Sequence, residues 1–148
     1  MQAQILAPAA ILVLWSLIML LWMMVTRFPA MAKAGIDLSK SEPGGRGANL
    51  EGVLPPSVSW KAHNFTHLME QPTVFYAAVV ILAIMGAGAV DVMLAWAYVL
   101  IRIVHSLWQA LVNRIPVRFA LFFVSSGILI VLAVRAVIAT MFISGAVT

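Results

Sequence analysis

Four long apolar runs, separated by more polar segments, form the main pattern along this chain of 148 residues. The runs cover about residues 5–26, 58–86, 91–113 and 117–143. Each run is long enough to cross a bilayer as a helix, which takes about 20 residues. The pattern therefore predicts an all-α membrane protein, a four-transmembrane-helix bundle that forms one domain over residues 1–148.

The segment between the first two runs, residues 27–57, has a different character. It is rich in Gly, Pro, Ser and charged residues and cannot bury enough apolar area to fold alone. We expect a polar surface loop that is in part ordered against the bundle. Ser57 and Ser59 follow two prolines at the end of this loop, and either is a suitable N-cap for the second helix.

The composition agrees with a membrane protein and limits its chemistry. Hydrophobic residues make up 64% of the chain and charged residues 9%, whereas about a quarter of an average soluble domain is charged. Cysteine is absent, which excludes disulfides, thiolate metal sites and a cysteine nucleophile. Any thiol chemistry must therefore use a thiol that a substrate brings.

The positively charged residues are concentrated in the segments expected on one side of the membrane. Lys and Arg occur in or beside the loop and around Pro116, but none precedes Arg27 or follows Arg135. The loop side is therefore expected to be cytoplasmic and both termini to lie outside the cytoplasm. The same distribution argues against nucleic acid as a partner. The first run is interpreted as a retained span, because the MQAQ before it lacks the charge of a signal peptide.

The third run carries a polar stripe. Tyr98, Arg102, His105 and Gln109 recur at spacings of four, three and four residues. These spacings place all four on one face of a helix. Because a charged side chain facing lipid is costly, the stripe is expected to face the bundle interior or a wet cavity.

The second run begins with polar residues that also share a face. His63, His67 and Glu70 follow at spacings of four and three residues. Two histidines four residues apart raise the alternative of a zinc site. Since His105 is the only further histidine in the chain, we predict no metal site.

Depth along the helices predicts two ion pairs. Glu70 and Arg102 each lie about a dozen residues, or roughly 18 Å, from the cytoplasmic end of their helices. At equal depth they are expected to pair, within one subunit or across an interface, because each charge would be costly alone. Near the opposite side Arg135 has only one acid available, Asp91, and a second pair is expected there.

Two segments, NFTHLMEQPTVFY and WAYVLIRIVHSLWQALVNRIPVR, make the chain resemble the MAPEG family, the membrane-associated proteins in eicosanoid and glutathione metabolism, and its bacterial branch in particular. The resemblance implies a homotrimer of four-helix subunits in the bacterial inner membrane. It also implies glutathione, bound as a co-substrate between neighbouring subunits near the cytoplasmic face.

The resemblance also implies site residues. Arg118, two residues after Pro116, matches the arginine that stabilises the glutathione thiolate and is the expected catalytic residue. The residues expected to bind or surround glutathione are Lys61, Asn64, His67, Glu70, Arg102, His105, Gln109 and Arg114. Three of them depart from the family pattern: His67 stands where an Asn is expected, with Asn64 the nearest Asn, and Gln109 stands where a Tyr is expected. The third is Lys61, which alone represents the basic residues often found just before that Asn.

Three functions remain open at this point. The first is a glutathione-dependent transferase or peroxidase that acts on lipophilic electrophiles from the bilayer. The second is a non-catalytic lipid-binding or scaffolding trimer that keeps the fold without the glutathione site, so the sequence leaves open whether the chain is an enzyme. The third is a proton or ion conduit along the stripe. For single residues the alternatives are structural: an interior histidine at His105, and membrane-side anchors at Arg114 and Arg118.

Overall fold

The computed structural model describes residues 3–142, and this part of the chain contains helices and no strand. The four long helices are α1 (Leu6–Lys33), α2 (Pro56–Met85), α3 (Ala89–Leu111) and α4 (Ile115–Met141). Each is long and apolar enough to cross a membrane. The predicted all-α membrane fold of four helices is confirmed, while the predicted end of the fourth span at residue 143 lies outside the described residues.

The core is a column of apolar side chains between the helices. Leu12 of α1, Phe75 of α2, Val99 of α3 and Leu132 of α4 are all fully buried. Phe75 also stacks on the ring of Tyr98 at a centroid distance of 4.4 Å. Many outward side chains are apolar as well, as a hydrocarbon environment requires, so the polar groups of the bundle are the informative ones.

Two helix ends differ from the sequence-based expectation. α1 continues to Lys33, beyond the end predicted at residue 26, because the change in composition marks the edge of the apolar layer and not the end of the backbone hydrogen bonds. α2 begins at Pro56, and its cap residue Pro55 makes no side-chain cap bond. The predicted serine caps are therefore wrong, since proline is already suited to the first helical position.

The loop between α1 and α2 packs in part against the helices. It contains two short 3₁₀ turns, Leu38–Lys40 and Gly47–Leu50. The second turn is held by Arg27 of α1, whose guanidinium donates a hydrogen bond to the carbonyl of Gly47. This contact brings the middle of the loop back over the ends of the helices.

At the other end of the bundle, Asp91 of α3 and Arg135 of α4 form an ion pair, as predicted. The side chain of Asp91 is only 4% exposed, and its second oxygen accepts a hydrogen bond from the backbone N–H of Gly88 at 2.8 Å. The turn before α3 begins at Gly86, which ends α2 with φ of +97°, a value that glycine adopts without strain. The pair therefore joins α3 to α4 beside a tight turn.

Candidate functional site

The polar stripe of α3 faces the interior of the bundle. Tyr98, Arg102, His105 and Gln109 are each at most 5% exposed. On the opposite side of the same helix Leu100 is 58% exposed. The expectation drawn from the spacing is confirmed, and the stripe brings its polar side chains to α2 and α4.

Two cavities lie at the loop end of this stripe. The first, which we call the polar cavity, has a volume of about 490 Å³ and lies between α2, α3, the end of α1 and the second loop turn. Its charged and polar walls include Arg27, Glu51, His63, His67, Glu70 and Gln109. It therefore offers both positive and negative groups to a ligand.

The second cavity, which we call the aromatic cavity, has a volume of about 230 Å³ and lies between α2, α3 and the start of α4. Its walls are His67, His105, Gln109, Ile115, Arg118, Phe119 and Phe122. His67 and Gln109 line both cavities, so the two spaces adjoin.

Two contacts close the loop over the polar cavity. One is the hydrogen bond from Arg27 to Gly47. The other joins His63 Nε2 to Glu51 Oε1 at 2.6 Å. Sequence reasoning placed His63 on the right face of α2 but did not assign it to the site. It missed Arg27 and Glu51, because no local pattern indicates which residues meet when a polar loop folds back over the helices.

His67 occupies the centre of the site. Its Nδ1 lies 3.0 Å from Glu70 Oε2, and its ring lies 5.0 Å from the ring of His105. Phe122 of α4 packs on the same ring at a centroid distance of 5.4 Å. The histidine therefore connects the carboxylate on the outer face of α2 with the buried stripe of α3.

The predicted Glu70–Arg102 ion pair does not form within the described part of the chain. Arg102 is fully buried and donates from Nη2 to the backbone carbonyl of His67 at 3.2 Å. The carboxylate of Glu70 is 63% exposed and pairs with His67 instead. The two residues lie at similar depth, but they point in different directions around the bundle axis. A pair across a subunit interface stays a prediction.

Arg118 is held at the aromatic cavity by the turn before α4. Its Nη1 donates to Asn113 Oδ1 at 2.7 Å, and Asn113 has φ of +54°. Such a left-handed conformation suits Asn at the end of a helix better than most residues. The side chain predicted to be catalytic therefore has a defined position beside His67 and His105.

Four predicted site residues line neither cavity: the buried Arg102, described above, and Lys61, Asn64 and Arg114. The ammonium of Lys61 lies 5.1 Å from the ring centroid of Trp22 on α1 and donates to a backbone carbonyl of its own helix. Asn64 is 1% exposed, and its Oδ1 has no hydrogen-bond partner among the described residues. Arg114 is exposed, and its carbonyl accepts a hydrogen bond from Trp108. These residues lie around the site and do not form its walls.

The support of Arg118 gives a testable prediction. Asn113→Gly removes the hydrogen-bond acceptor of Arg118 but also removes the strain of a side chain at positive φ. We therefore expect the free energy of unfolding of this variant to change by less than about 1 kcal/mol. Asn113→Ala removes the acceptor and keeps the strain, and should cost about 2 kcal/mol. Thermal unfolding in detergent measures both. Equal stability of the two variants would contradict a strained turn at Asn113.

Comparison with known proteins gives one result. The family model described as the MAPEG family matches residues 5–138. No curated protein and no solved structure matches the chain. The matched range includes all four helices almost completely and both cavities.

Proposed function

This chain belongs to the MAPEG family of membrane proteins, with a match over residues 5–138, and we propose that it joins the thiol of glutathione to lipophilic electrophiles or uses that thiol to reduce lipid hydroperoxides. One observation carries the proposal. A polar cavity adjoins an aromatic cavity, and an arginine lines each of them: Arg27 the first and Arg118 the second.

The polar cavity suits a small zwitterionic peptide. Its volume of about 490 Å³ lies within the range of about 300–1,000 Å³ that is usual for small-molecule sites. Glutathione carries two carboxylates and one ammonium group. Arg27 offers a charge-assisted hydrogen bond to a carboxylate, while Glu51 and Glu70 can accept from the ammonium. The peptide part is therefore assigned to this cavity.

The aromatic cavity suits the reaction. A guanidinium close to sulfur stabilises the thiolate, which is the nucleophilic form. Arg118 lines this cavity together with Phe119 and Phe122, which provide an apolar surface for the second substrate. In conjugation the sulfur lone pair forms the new carbon–sulfur bond while the leaving group departs with its electron pair. In reduction the sulfur takes the terminal hydroperoxide oxygen, an alcohol leaves, and a second glutathione gives the disulfide and water.

The outer face of α2 supports the expected homotrimer. The carboxylate of Glu70 is 63% exposed in the single chain, and the neighbouring Thr73 is exposed too. A carboxylate in contact with lipid about a dozen residues into a span is costly. We therefore assign this face to contacts with neighbouring subunits. The loop end is assigned to the cytoplasmic side of a bacterial inner membrane and both termini to the other side, from the distribution of positive charge.

A second candidate function is a non-catalytic trimer that has kept the fold without the glutathione site. One observation favours it. Glu51 and His63 pair with each other and Arg27 with Gly47, so these groups are already satisfied without a ligand. Binding glutathione would then have to replace these contacts, and the experiment below separates the two candidates.

Thermal unfolding of the detergent-purified full chain, with and without about 5 mM glutathione, tests the proposal. A ligand present at ten times its Kd stabilises the folded state by about 1.4 kcal/mol, so we expect an upward shift of the unfolding temperature. S-methylglutathione, which lacks the free thiol, should give the same shift, because the polar cavity holds the peptide part.

Variants of the loop region provide the controls for this shift. Arg27→Gln should remove most of it, since Arg27 lines the polar cavity. Arg46→Gln changes a loop arginine that does not line this cavity and should leave the shift unchanged. No shift in the unaltered protein, with its oligomer intact, would favour the non-catalytic trimer.

A further inference from the structure

A third cavity lies at the opposite end of the bundle, and the glutathione proposal does not use it. Its volume is about 320 Å³, and it lies beside the α2–α3 turn, between the ends of α2, α3 and α4. We call it the turn cavity; its walls include Leu82, Met85, Gly86, Asp91, Arg135 and Ile138. We propose that the turn cavity binds the phosphate group of a membrane phospholipid through Arg135.

Asp91 holds Arg135 in one orientation. One carboxylate oxygen accepts from Nε of Arg135, and the other accepts from the backbone N–H of Gly88 at 2.8 Å. The carboxylate is almost completely buried, which makes it a rigid support. Both of its oxygens are therefore occupied by groups of the protein itself.

The terminal nitrogens of Arg135 remain available for a ligand. They make no hydrogen bond within residues 3–142, and the side chain is 40% exposed. Two such nitrogens present parallel N–H groups that match two oxygens of a phosphate. Lysine, as a single point charge, does not offer this fork.

The position of Arg135 along α4 matches the level of the lipid headgroups. It lies six residues before the end of the helix at Met141, which is about 9 Å at 1.5 Å per residue. The whole of α4, Ile115–Met141, is longer than the hydrocarbon thickness of about 30 Å and extends beyond it by several Å at each end. The guanidinium can therefore reach the phosphate layer while the stem of the side chain stays in apolar surroundings.

The surroundings favour a lipid over a free anion. One turn away on the same helix, Val131 is 46% and Ile138 is 51% exposed, and both are apolar. Leu82 and Met85 add apolar walls beside the cation. A phospholipid can place its phosphate on Arg135 and its chains along these side chains. Because Asp91 already balances the positive charge of Arg135, the two terminal nitrogens recognise the phosphate group itself and not the net charge of the lipid.

The test measures lipid retained by the full chain, by native mass spectrometry in detergent after addition of defined lipids. We expect phosphatidylglycerol and phosphatidylcholine to be retained and diacylglycerol, which lacks phosphate, to be lost. The double variant Asp91→Asn with Arg135→Gln removes both charges without leaving either one buried alone. Its retention of phospholipid should fall about tenfold or more, as expected for the loss of charge-assisted hydrogen bonds.

Two further variants make the outcome specific. Arg135→Lys keeps the charge but loses the fork, so retention should also fall. Lys33→Gln, at an exposed cation on the end of α1, should not change it. Equal retention by the double variant, displacement of the lipid by millimolar inorganic phosphate, or occupation of the cavity by a second copy of the chain would each overturn the proposal.

Discussion

Arg135→Gln is expected to lower the free energy of unfolding by about 3 kcal/mol. The substitution leaves the carboxylate of Asp91 buried without its counter-charge, since this side chain is only 4% exposed. The cost is placed at the lower end of values for buried pairs because Arg135 itself is 40% exposed and reaches solvent or headgroups. Unfolding in detergent with increasing denaturant, followed by circular dichroism, measures the change.

Two comparisons show whether the cost comes from the unpaired charge. Adding Asp91→Asn to Arg135→Gln should recover most of the lost stability, because neither charge is then left alone. Lys40→Gln breaks the exposed pair between Lys40, whose side chain is 84% exposed, and Asp37, whose side chain is 49% exposed. It should leave the free energy of unfolding almost unchanged, because solvent screens such a pair. Equal losses in the single and double variants would refute this explanation.

Arg118→Ala is expected to reduce the rate of the proposed glutathione conjugation by about 100-fold, the usual effect of removing one group that stabilises developing negative charge. The side chain lines the aromatic cavity and is held there by Asn113. Stopped-flow kinetics with an electrophile such as 1-chloro-2,4-dinitrobenzene would measure the rate. A loss confined to kcat would place Arg118 at the sulfur, whereas a rise in KM alone would place it at the peptide part.

Controls for this experiment separate charge from folding. Arg118→Lys keeps a positive charge and should retain part of the rate, although it loses the bond geometry to Asn113. Lys33→Ala, at an exposed position far along α1, should leave the rate unchanged. In Arg118→Ala the thermal shift with S-methylglutathione should persist, because the polar cavity is intact. A wild-type rate in Arg118→Ala would remove Arg118 from the mechanism.

The two predicted ion pairs show the reach of reasoning from sequence. Both predictions follow from how far each residue lies from the end of its helix. Asp91 and Arg135 do pair, and they had no other partner near that end of the bundle. Glu70 and Arg102 are level too, yet within the described chain they do not meet, because one lies on the outer face of α2 and the other points inward. Depth follows from residue number, but direction around the axis depends on how the helices pack.

The same distinction applies to the candidate site. The spacing of the polar stripe on α3 was enough to predict that this face of the helix is buried. Two sequence segments were enough to indicate the family, which the family model confirms. Neither could indicate that Arg27 and Glu51 would line a cavity with His67, because these residues are far apart in the chain. Phe119 and Phe122 looked like any other apolar residues of a span until α4 placed them beside Arg118.

The sequence by itself determined the four spans, the polar loop and the buried face of α3. These features depend on the free-energy cost of placing polar groups in hydrocarbon. Each residue contributes to this cost according to its own polarity, and the helical period of about 3.6 residues determines which residues share a face. Only the tertiary structure decided which side chains enclose the two adjoining cavities and that the loop closes over one of them. Such contacts join distant segments, and they depend on the rotation and packing of whole helices, which no local period encodes.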